Sequence, residues 1–433
     1  MAQNQSSRYI LSITIIGILF FIFGFVTWLN GTLIPFLKLA CDLRTDAQAL
    51  LVTFAFYIAY FFLAIPSSFI LGKTGYKKGM SLGLLIMAFG ALLFIPAAMA
   101  RNFWLFLGGL FILGMGLALL QTAANPYIAI IGPIESAAKR ISIMGICNKV
   151  AGALSPVILS SIVLKGASEI EAKVAAADPL TRADLLQQLS HRVIAPYAAM
   201  AVVLVLLALM IRLSPLPEIE AHGEEASPGA GAVVRTSILQ FPHLLLGVVC
   251  IFVYVGAEVM AGDVIVIYGK ALGLSLDVTK NLTAYTLWSM VVGYIIGVAT
   301  IPKYIKQETA LKLSAVTGLV FTALAFITHG YISILFVALL GLANSLMWPA
   351  IFPMAIRGLG RFTKIGAALL IMGIAGGAIV PQIYARLKDV MSPSSAFFWS
   401  MLPCYLYILY YAMKGHRVGE RKVSRLTAPA TAD

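Results

Sequence analysis

Three ionisable residues lie within long apolar stretches of the chain: Lys149, Glu258 and Asp263. A charge at the centre of a bilayer costs about 2.5–3.5 kcal/mol on insertion scales, so such groups normally face a protein interior and find a partner. Glu258 and Asp263 are five residues apart, which is about 140° around a helix, and we expect them to have different neighbours. We therefore predict that Lys149 pairs with either Glu258 or Asp263 inside the protein.

Amide and aromatic side chains occur in the same apolar stretches. Amides can exchange hydrogen bonds with the hydroxyl groups of a neutral polyol, and a flat aromatic ring can pack against the C–H face of a pyranose. This combination favours a sugar-binding cavity over a site for a purely hydrophobic ligand. The candidate sugar-binding residues are Asn30, Gln121, Asn125, Asn148 and Asn344 as amides, with Trp28, Tyr254, Tyr285, Trp288 and Trp348 as aromatic platforms.

Alternative roles exist for some of these candidates. Tryptophan and tyrosine near helix ends are commonly interfacial anchors. Asn125 precedes Pro126, and its amide could instead satisfy backbone groups that the proline leaves free. Lys149 and its partner could form a buried pair that only fixes helix register.

Other kinds of chemistry find no support in the chain. The four cysteines are far apart and form no CxxC pair, so we expect no zinc or redox site. The five histidines lie outside the centres of the apolar stretches, which argues against a histidine proton relay. Motifs for phosphate binding or hydrolysis are missing. We therefore predict that the protein is not an enzyme and needs no cofactor.

Composition places the chain in a bilayer. Of its 433 residues, 60% are hydrophobic and 11% are charged, against roughly 25% charged in soluble proteins. A membrane-spanning helix needs about 20 apolar residues, and lipid offers an unpaired backbone no partner. Twelve stretches qualify: 9–37, 47–71, 79–99, 103–130, 141–164, 193–213, 243–269, 281–301, 310–328, 331–356, 365–385 and 395–413.

A polar segment divides the twelve stretches into six and six. We predict an N-terminal half at 1–214, a flexible cytoplasmic linker at 215–241 and a C-terminal half at 242–433. Gly-Leu-Ala at 116–118 recurs at 341–343, which suggests that the halves are repeats. The predicted fold class is an all-α membrane protein with twelve transmembrane helices in two six-helix halves.

Basic residues set the orientation. Placing both termini in the cytoplasm assigns nineteen of the 31 Lys and Arg residues to cytoplasmic loops and eleven to the outside, as the positive-inside rule expects. The net charge of +13 therefore reflects topology and does not indicate nucleic-acid binding. We expect a multi-pass protein with both termini in the cytoplasm that acts as a monomer in the lipid bilayer.

Several strings within the spans carry a family resemblance. They are WLNGTLIP at 28–35, QTAANPY at 121–127, GICNK at 145–149, YVGAE at 254–258 and WPAIFP at 348–353. Together they resemble the fucose:proton symporter family of the major facilitator superfamily, in its branch of glucose/galactose and N-acetylglucosamine transporters. Two positions depart from the fucose pattern, because Gly31 and Gln121 stand where that family has acids.

The resemblance implies cation-coupled import of a sugar across a bacterial inner membrane by alternating access. The substrate would be a hexose or an N-acetylhexosamine, namely glucose, galactose or N-acetylglucosamine. Lys149, Glu258 and Asp263 are the predicted coupling residues, and the coupling cation is left open between H⁺ and Na⁺. The alternatives are a major facilitator transporter of another small polar solute, or a drug exporter.

Overall fold

The computed structural model describes residues 2–130, 137–216, 236–301 and 303–419, and within these ranges all regular structure is helical. The first half contains α1 (Ala2–Thr27), α2 (Asn30–Ala40), α3 (Asp46–Ala49), α4 (Leu51–Leu92), α5 (Phe94–Met99), α6 (Phe103–Ile130), α7 (Ala137–Val163), α8 (Ala167–Ala176), α9 (Pro179–His191) and α10 (Ile194–Leu213). The second half contains α11 (Pro242–Gly262), α12 (Ile265–Ala271), α13 (Leu276–Thr279), α14 (Leu282–Thr300), α15 (Gln307–Ile327), α16 (Gly330–Asn344), α17 (Met347–Ile356), α18 (Thr363–Met372), α19 (Gly376–Lys388) and α20 (Pro393–Met413).

The predicted number of membrane crossings agrees with the structure. Eleven stretches of the described residues are long and apolar enough to cross a membrane. One of them, Asp46–Met99, has 54 residues and would measure about 81 Å as a straight helix, against a hydrocarbon core of about 30 Å. Gly75 interrupts it with a φ of 76°, a conformation that favours glycine. This stretch therefore supplies spans two and three, and the twelve-span fold is confirmed.

Four spans are broken near their middle, although the sequence predicted continuous helices, and in span eleven the break lies between α18 and α19. Span one breaks at Trp28–Leu29, between α1 and α2, and span seven breaks at Asp263–Val264, between α11 and α12. Span ten is interrupted between α16 and α17. Broken helices within a bilayer are tolerated where the backbone is buried in protein or lines a cavity, so the breaks direct attention to the centre of the molecule.

Close packing of small residues holds the spans together. A Cβ atom on Gly83 or on Gly116 would overlap the neighbouring helix, because these glycines of spans three and four face each other. A Cβ on Gly24 of span one would overlap the backbone of Asn148 in span five. In lipid there is little hydrophobic drive between helices, so such close backbone approach supplies much of the association energy.

The most extensive contacts between the two halves involve two pairs of spans. Span two, in α4, packs against α18 and α19 of span eleven, and α7 of span five packs against α14 of span eight. These contacts cross the boundary that the sequence predicted between the halves. The predicted linker at 215–241 lies mostly outside the described residues, so its boundaries remain a prediction.

Within the described residues, most of the polar contacts between the halves lie near one face of the bilayer. We call the face at which α1 begins and α20 ends the terminal face, and the other the opposite face. Near the opposite face, four contacts join the halves. Lys388 pairs with Asp46, which also pairs with Lys38 of its own half. The other three are Gln382 Nε2 with Ala47 O at 3.3 Å, Ser160 Oγ with Asn281 Oδ1 at 3.0 Å, and Lys270 Nζ with Glu171 Oε1 at 2.8 Å. We call this set the opposite-face contacts.

Candidate functional site

A cavity of about 740 Å³, including its open mouth, lies between the two halves. The residues around this cavity come from spans one, two, four, five, seven, eight, ten and eleven. They are Phe20, Phe23, Thr27, Trp28, Tyr57, Tyr60, Gln121, Asn125, Ile141, Gly145, Asn148, Lys149, Tyr254, Val255, Glu258, Tyr294, Trp348 and Ile374.

The cavity extends from the middle of the bilayer toward the terminal face. Asn125, Ile141 and Trp348 lie in the parts of their spans that approach this face. The opposite-face contacts lie beyond its other end. The structure therefore has the central site closed off toward one side of the membrane.

An ion pair between the halves lies in this cavity. Lys149 Nζ of span five donates to Glu258 Oε1 of span seven at 2.8 Å, and the two side chains are 8% and 11% exposed. The hydroxyl of Tyr254 donates to the same carboxylate oxygen at 2.8 Å. Of the two partners that the sequence left open for Lys149, Glu258 is the one in contact.

Trp28 lies at the break of span one and is 1% exposed. The ammonium of Lys149 sits 4.6 Å from the centroid of its ring, a distance suited to a cation–π contact. A Cβ atom on either Gly152 or Gly262 would overlap the indole. The ring is therefore held between span five of one half and span seven of the other, because both of those positions are glycine.

The amides along the first half are arranged around the same cavity. Gln121 Nε2 donates to the hydroxyl oxygen of Tyr60 at 3.0 Å. Asn125 Nδ2 donates to the backbone oxygen of Gln121 at 2.9 Å, and Asn148 Nδ2 donates to the backbone oxygen of Phe20 at 3.3 Å. Each side-chain amide thus has a fixed orientation and a second polar atom available for a ligand.

Five residues of the predicted set lie away from the cavity wall, and Tyr285 of span eight, 60% exposed, is one of them. Asn30 and Asp263 are buried at 1% and 0% exposure beside the breaks of spans one and seven. Asn344 is buried and accepts a hydrogen bond from Tyr405 at 2.9 Å. Trp288 is 45% exposed on the outer surface of span eight.

The orientation of span eight has a sequence signal that the prediction did not use. Tyr285, Trp288, Val292 and Ile295 recur every three or four residues, and their side chains are 45–60% exposed. Positions with that spacing share one face of a helix. This stripe faces away from the cavity. The prediction of Tyr285 and Trp288 as aromatic platforms for a sugar, which used residue type alone, therefore does not fit the structure.

The sequence prediction also left out aromatic residues that line the cavity. Tyr57 and Tyr60 are one helical turn apart on span two, and Tyr294 belongs to span eight. Phe20 and Phe23 contribute apolar surface from span one. These side chains look like ordinary membrane-helix residues in the sequence, and only packing reveals that they face the centre.

The site can bind a small neutral ligand with many hydroxyl groups. Lys149 and Glu258 compensate each other's charge, so the cavity offers no unpaired charge to an ionic ligand. Its amides supply hydrogen bonds, and its aromatic rings supply flat apolar surfaces. A central cavity between two helical halves, closed toward one face of the bilayer, is the architecture of a membrane transporter that works by alternating access.

Comparison with known families agrees with this class. A model of the Major Facilitator Superfamily matches residues 16–381, and the chain belongs to that superfamily. The sequence resemblance is therefore confirmed at this level. The relatives described next are transporters, which supports the prediction that the chain is not an enzyme.

Two curated relatives match almost the full length. The glucose/galactose transporter of Brucella abortus biovar 1 (strain 9-941) is 35% identical over 417 residues, which are 96% of each chain. The L-fucose-proton symporter of Escherichia coli (strain K12) is 29% identical over 393 residues, which are 89% of each chain.

A solved structure gives the same fold. The crystal structure of the major facilitator transporter FucP in the outward conformation has a TM-score of 0.74 with 27% sequence identity, covering 94% of this chain and 99% of that one. The fold of this chain thus has an experimental counterpart.

Proposed function

We propose that this protein imports glucose or galactose together with protons, by alternating access across a bacterial inner membrane. The observation that carries the proposal is the cavity between the halves, which combines side-chain amides and aromatic rings with an internally neutral ion pair. A neutral hexose matches this lining. Relatives named as glucose/galactose transporters and L-fucose-proton symporters support both the sugar class and the proton.

We assign the residues of the cavity to three tasks. Trp28, Tyr254 and Trp348 provide flat surfaces for the C–H face of the sugar. Gln121, Asn125 and Asn148 bind hydroxyl groups through their amides. Lys149 and Glu258 link the halves, and sugar that displaces one partner would change the balance between the two access states.

We further propose that the terminal face is cytoplasmic, as the distribution of basic residues predicts. The cavity then extends toward the cytoplasm, and the opposite-face contacts close the periplasmic side. This arrangement corresponds to the state in which an importer releases its sugar into the cell.

The proposal is tested with the purified full-length chain in proteoliposomes. Labelled glucose and galactose should accumulate when the outside is made acidic, without Na⁺, and an uncoupler should abolish the accumulation. Uptake of labelled N-acetylglucosamine, which stays a prediction from the sequence, and of labelled fucose is measured in the same way. The absence of uptake for all four sugars under proton and Na⁺ gradients alike would refute the proposed function.

A further inference from the structure

A second polar cluster lies behind the sugar cavity, where the breaks of spans one and seven meet. Asp263 is fully buried, and neither of its carboxyl oxygens makes a hydrogen bond of ordinary geometry. Both polar atoms of the Asn30 amide and the hydroxyl of Thr283 are also buried without such a partner. Unsatisfied polar groups at this depth are rare in folded proteins and call for an explanation.

The cluster spans the interface between the halves. Asp263 directly follows α11 in the second half, and Asn30 begins α2 in the first. The backbone N–H of Gly31 faces the Asp263 carboxyl group, so the carboxyl lies at the N-terminus of α2. Thr283 packs directly on Gly31, where a Cβ atom would overlap its hydroxyl. The surroundings of the Asp263 carboxyl group in the second half therefore include the backbone of α2 in the first half.

Charged and titratable groups around Asp263 do not neutralise it. Lys149 is the nearest cation on span five, but it is engaged with Glu258. Tyr57 faces Asp263 from span two, and Glu258 adds a like charge from span seven itself. The N-terminus of α2 favours an anion, but it offsets only part of the cost of a buried carboxylate.

These observations identify what the carboxyl group can bind. A metal cation needs several oxygen ligands and a space between them, whereas the cluster is enclosed and Thr283 is packed tightly against Gly31. A proton needs neither several oxygen ligands nor a space between them. It forms an O–H bond with one carboxyl oxygen, removes the negative charge, and leaves when that bond breaks.

We propose that Asp263 carries the transported proton, at a site separated from the sugar cavity by Trp28. The indole touches Lys149 on the cavity side and Gly262, next to Asp263, on the other. Sugar that packs on Trp28 would thus act on the Asp263 cluster through this side chain, and Tyr57, which also lines the cavity, faces Asp263 directly. This inference rests on the proposed function and adds the location of the proton.

The test compares wild type with Asp263→Asn in proteoliposomes, using labelled glucose or galactose. One proton per sugar allows about tenfold accumulation for a gradient of one pH unit. Asp263→Asn should lower the accumulation ratio to about one while it retains counterflow exchange, which needs no net proton movement. Its counterflow should also lose the pH dependence of wild type. Asp389→Asn, at an exposed position, is the matched carboxyl-to-amide control and should accumulate normally.

A second variant covers the possibility that Asp263→Asn does not fold. Thr283→Val keeps the shape of the side chain and removes only the hydroxyl of the cluster. It should shift the pH of half-maximal uptake and leave the KM for sugar unchanged, whereas an unchanged pH profile would contradict the proposal.

Other outcomes separate this inference from the proposed function. Wild-type accumulation that persists in Asp263→Asn would overturn the assignment of the proton alone. Loss of counterflow along with accumulation would assign Asp263 to sugar binding or folding, and accumulation driven by Na⁺ at equal pH would replace the proton by a metal cation. A wild-type protein that accumulates no sugar would refute the proposed function, and the inference with it.

Discussion

Replacement of Lys149 by methionine leaves the Glu258 carboxylate without its cationic partner. Both side chains are about nine-tenths buried, and removing one member of a buried pair typically costs about 3–5 kcal/mol. At 1.4 kcal/mol per factor of ten, this changes an equilibrium constant by roughly a hundredfold to several thousandfold. Such a change is large enough to displace the balance between two access states, so we expect Lys149→Met to abolish accumulation of sugar.

The double variant Lys149→Met with Glu258→Gln separates the functional role from a structural one. It removes both charges, and replacing a buried pair by neutral residues is often close to neutral for stability. We therefore expect it to recover the thermal stability lost in Lys149→Met, measured by fluorescence-detected gel filtration, but not the accumulation of labelled glucose. Recovery of both properties would show that the pair only holds the fold, and full accumulation by Lys149→Met alone would refute the reasoning.

Two further variants probe the contacts between the halves. Gly262→Ala should displace Trp28, because a Cβ atom there overlaps the indole; an aromatic contact is worth about 0.5–1.5 kcal/mol, so the KM for sugar should rise roughly twofold to tenfold in uptake assays. Asp46→Asn removes the acid that pairs with Lys38 and Lys388. It should favour opening of the opposite face, seen as longer distances between spin labels placed on the two halves.

Each of these variants has a matched control. Gly108→Ala adds the same methyl group where nothing lies within 4 Å, and it should leave the KM unchanged. Asp42→Asn removes an ion pair with Arg182 near the same face but within one half, so it should not change the distances between labels. Equal effects of Asp42→Asn and Asp46→Asn would contradict a gating role for the opposite-face contacts.

The sequence predicted the spans because membrane thickness fixes helix length and lipid forbids an unpaired backbone. It did not predict the breaks at Trp28–Leu29 and Asp263–Val264. Polar residues lie at both breaks, Asn30 at the first and Asp263 at the second, but an average over about 19 residues registers only the apolar character of the whole span and cannot locate a break in it. What stabilises each break is packing against the other half, such as Gly262 against Trp28.

The candidate site was predictable where burial is costly. Lys149, Glu258 and Gln121 stood out because polar groups in a membrane helix need a reason to be there, and all three line the cavity. Aromatic residues gave no comparable signal, since lipid and protein accept them equally. Trp288 was therefore included although it faces outward, and Tyr57 was left out although it faces the cavity.

The neutrality of the Lys149–Glu258 pair has a consequence for the membrane voltage. Opposite charges 2.8 Å apart that move together through the field carry no net charge across it. Moving one unpaired elementary charge across a membrane potential of 100 mV changes its free energy by about 2.3 kcal/mol. The voltage would therefore drive only the proton proposed for Asp263, so each transport cycle would be electrogenic by one charge, and a negative interior would increase accumulation even without a pH difference.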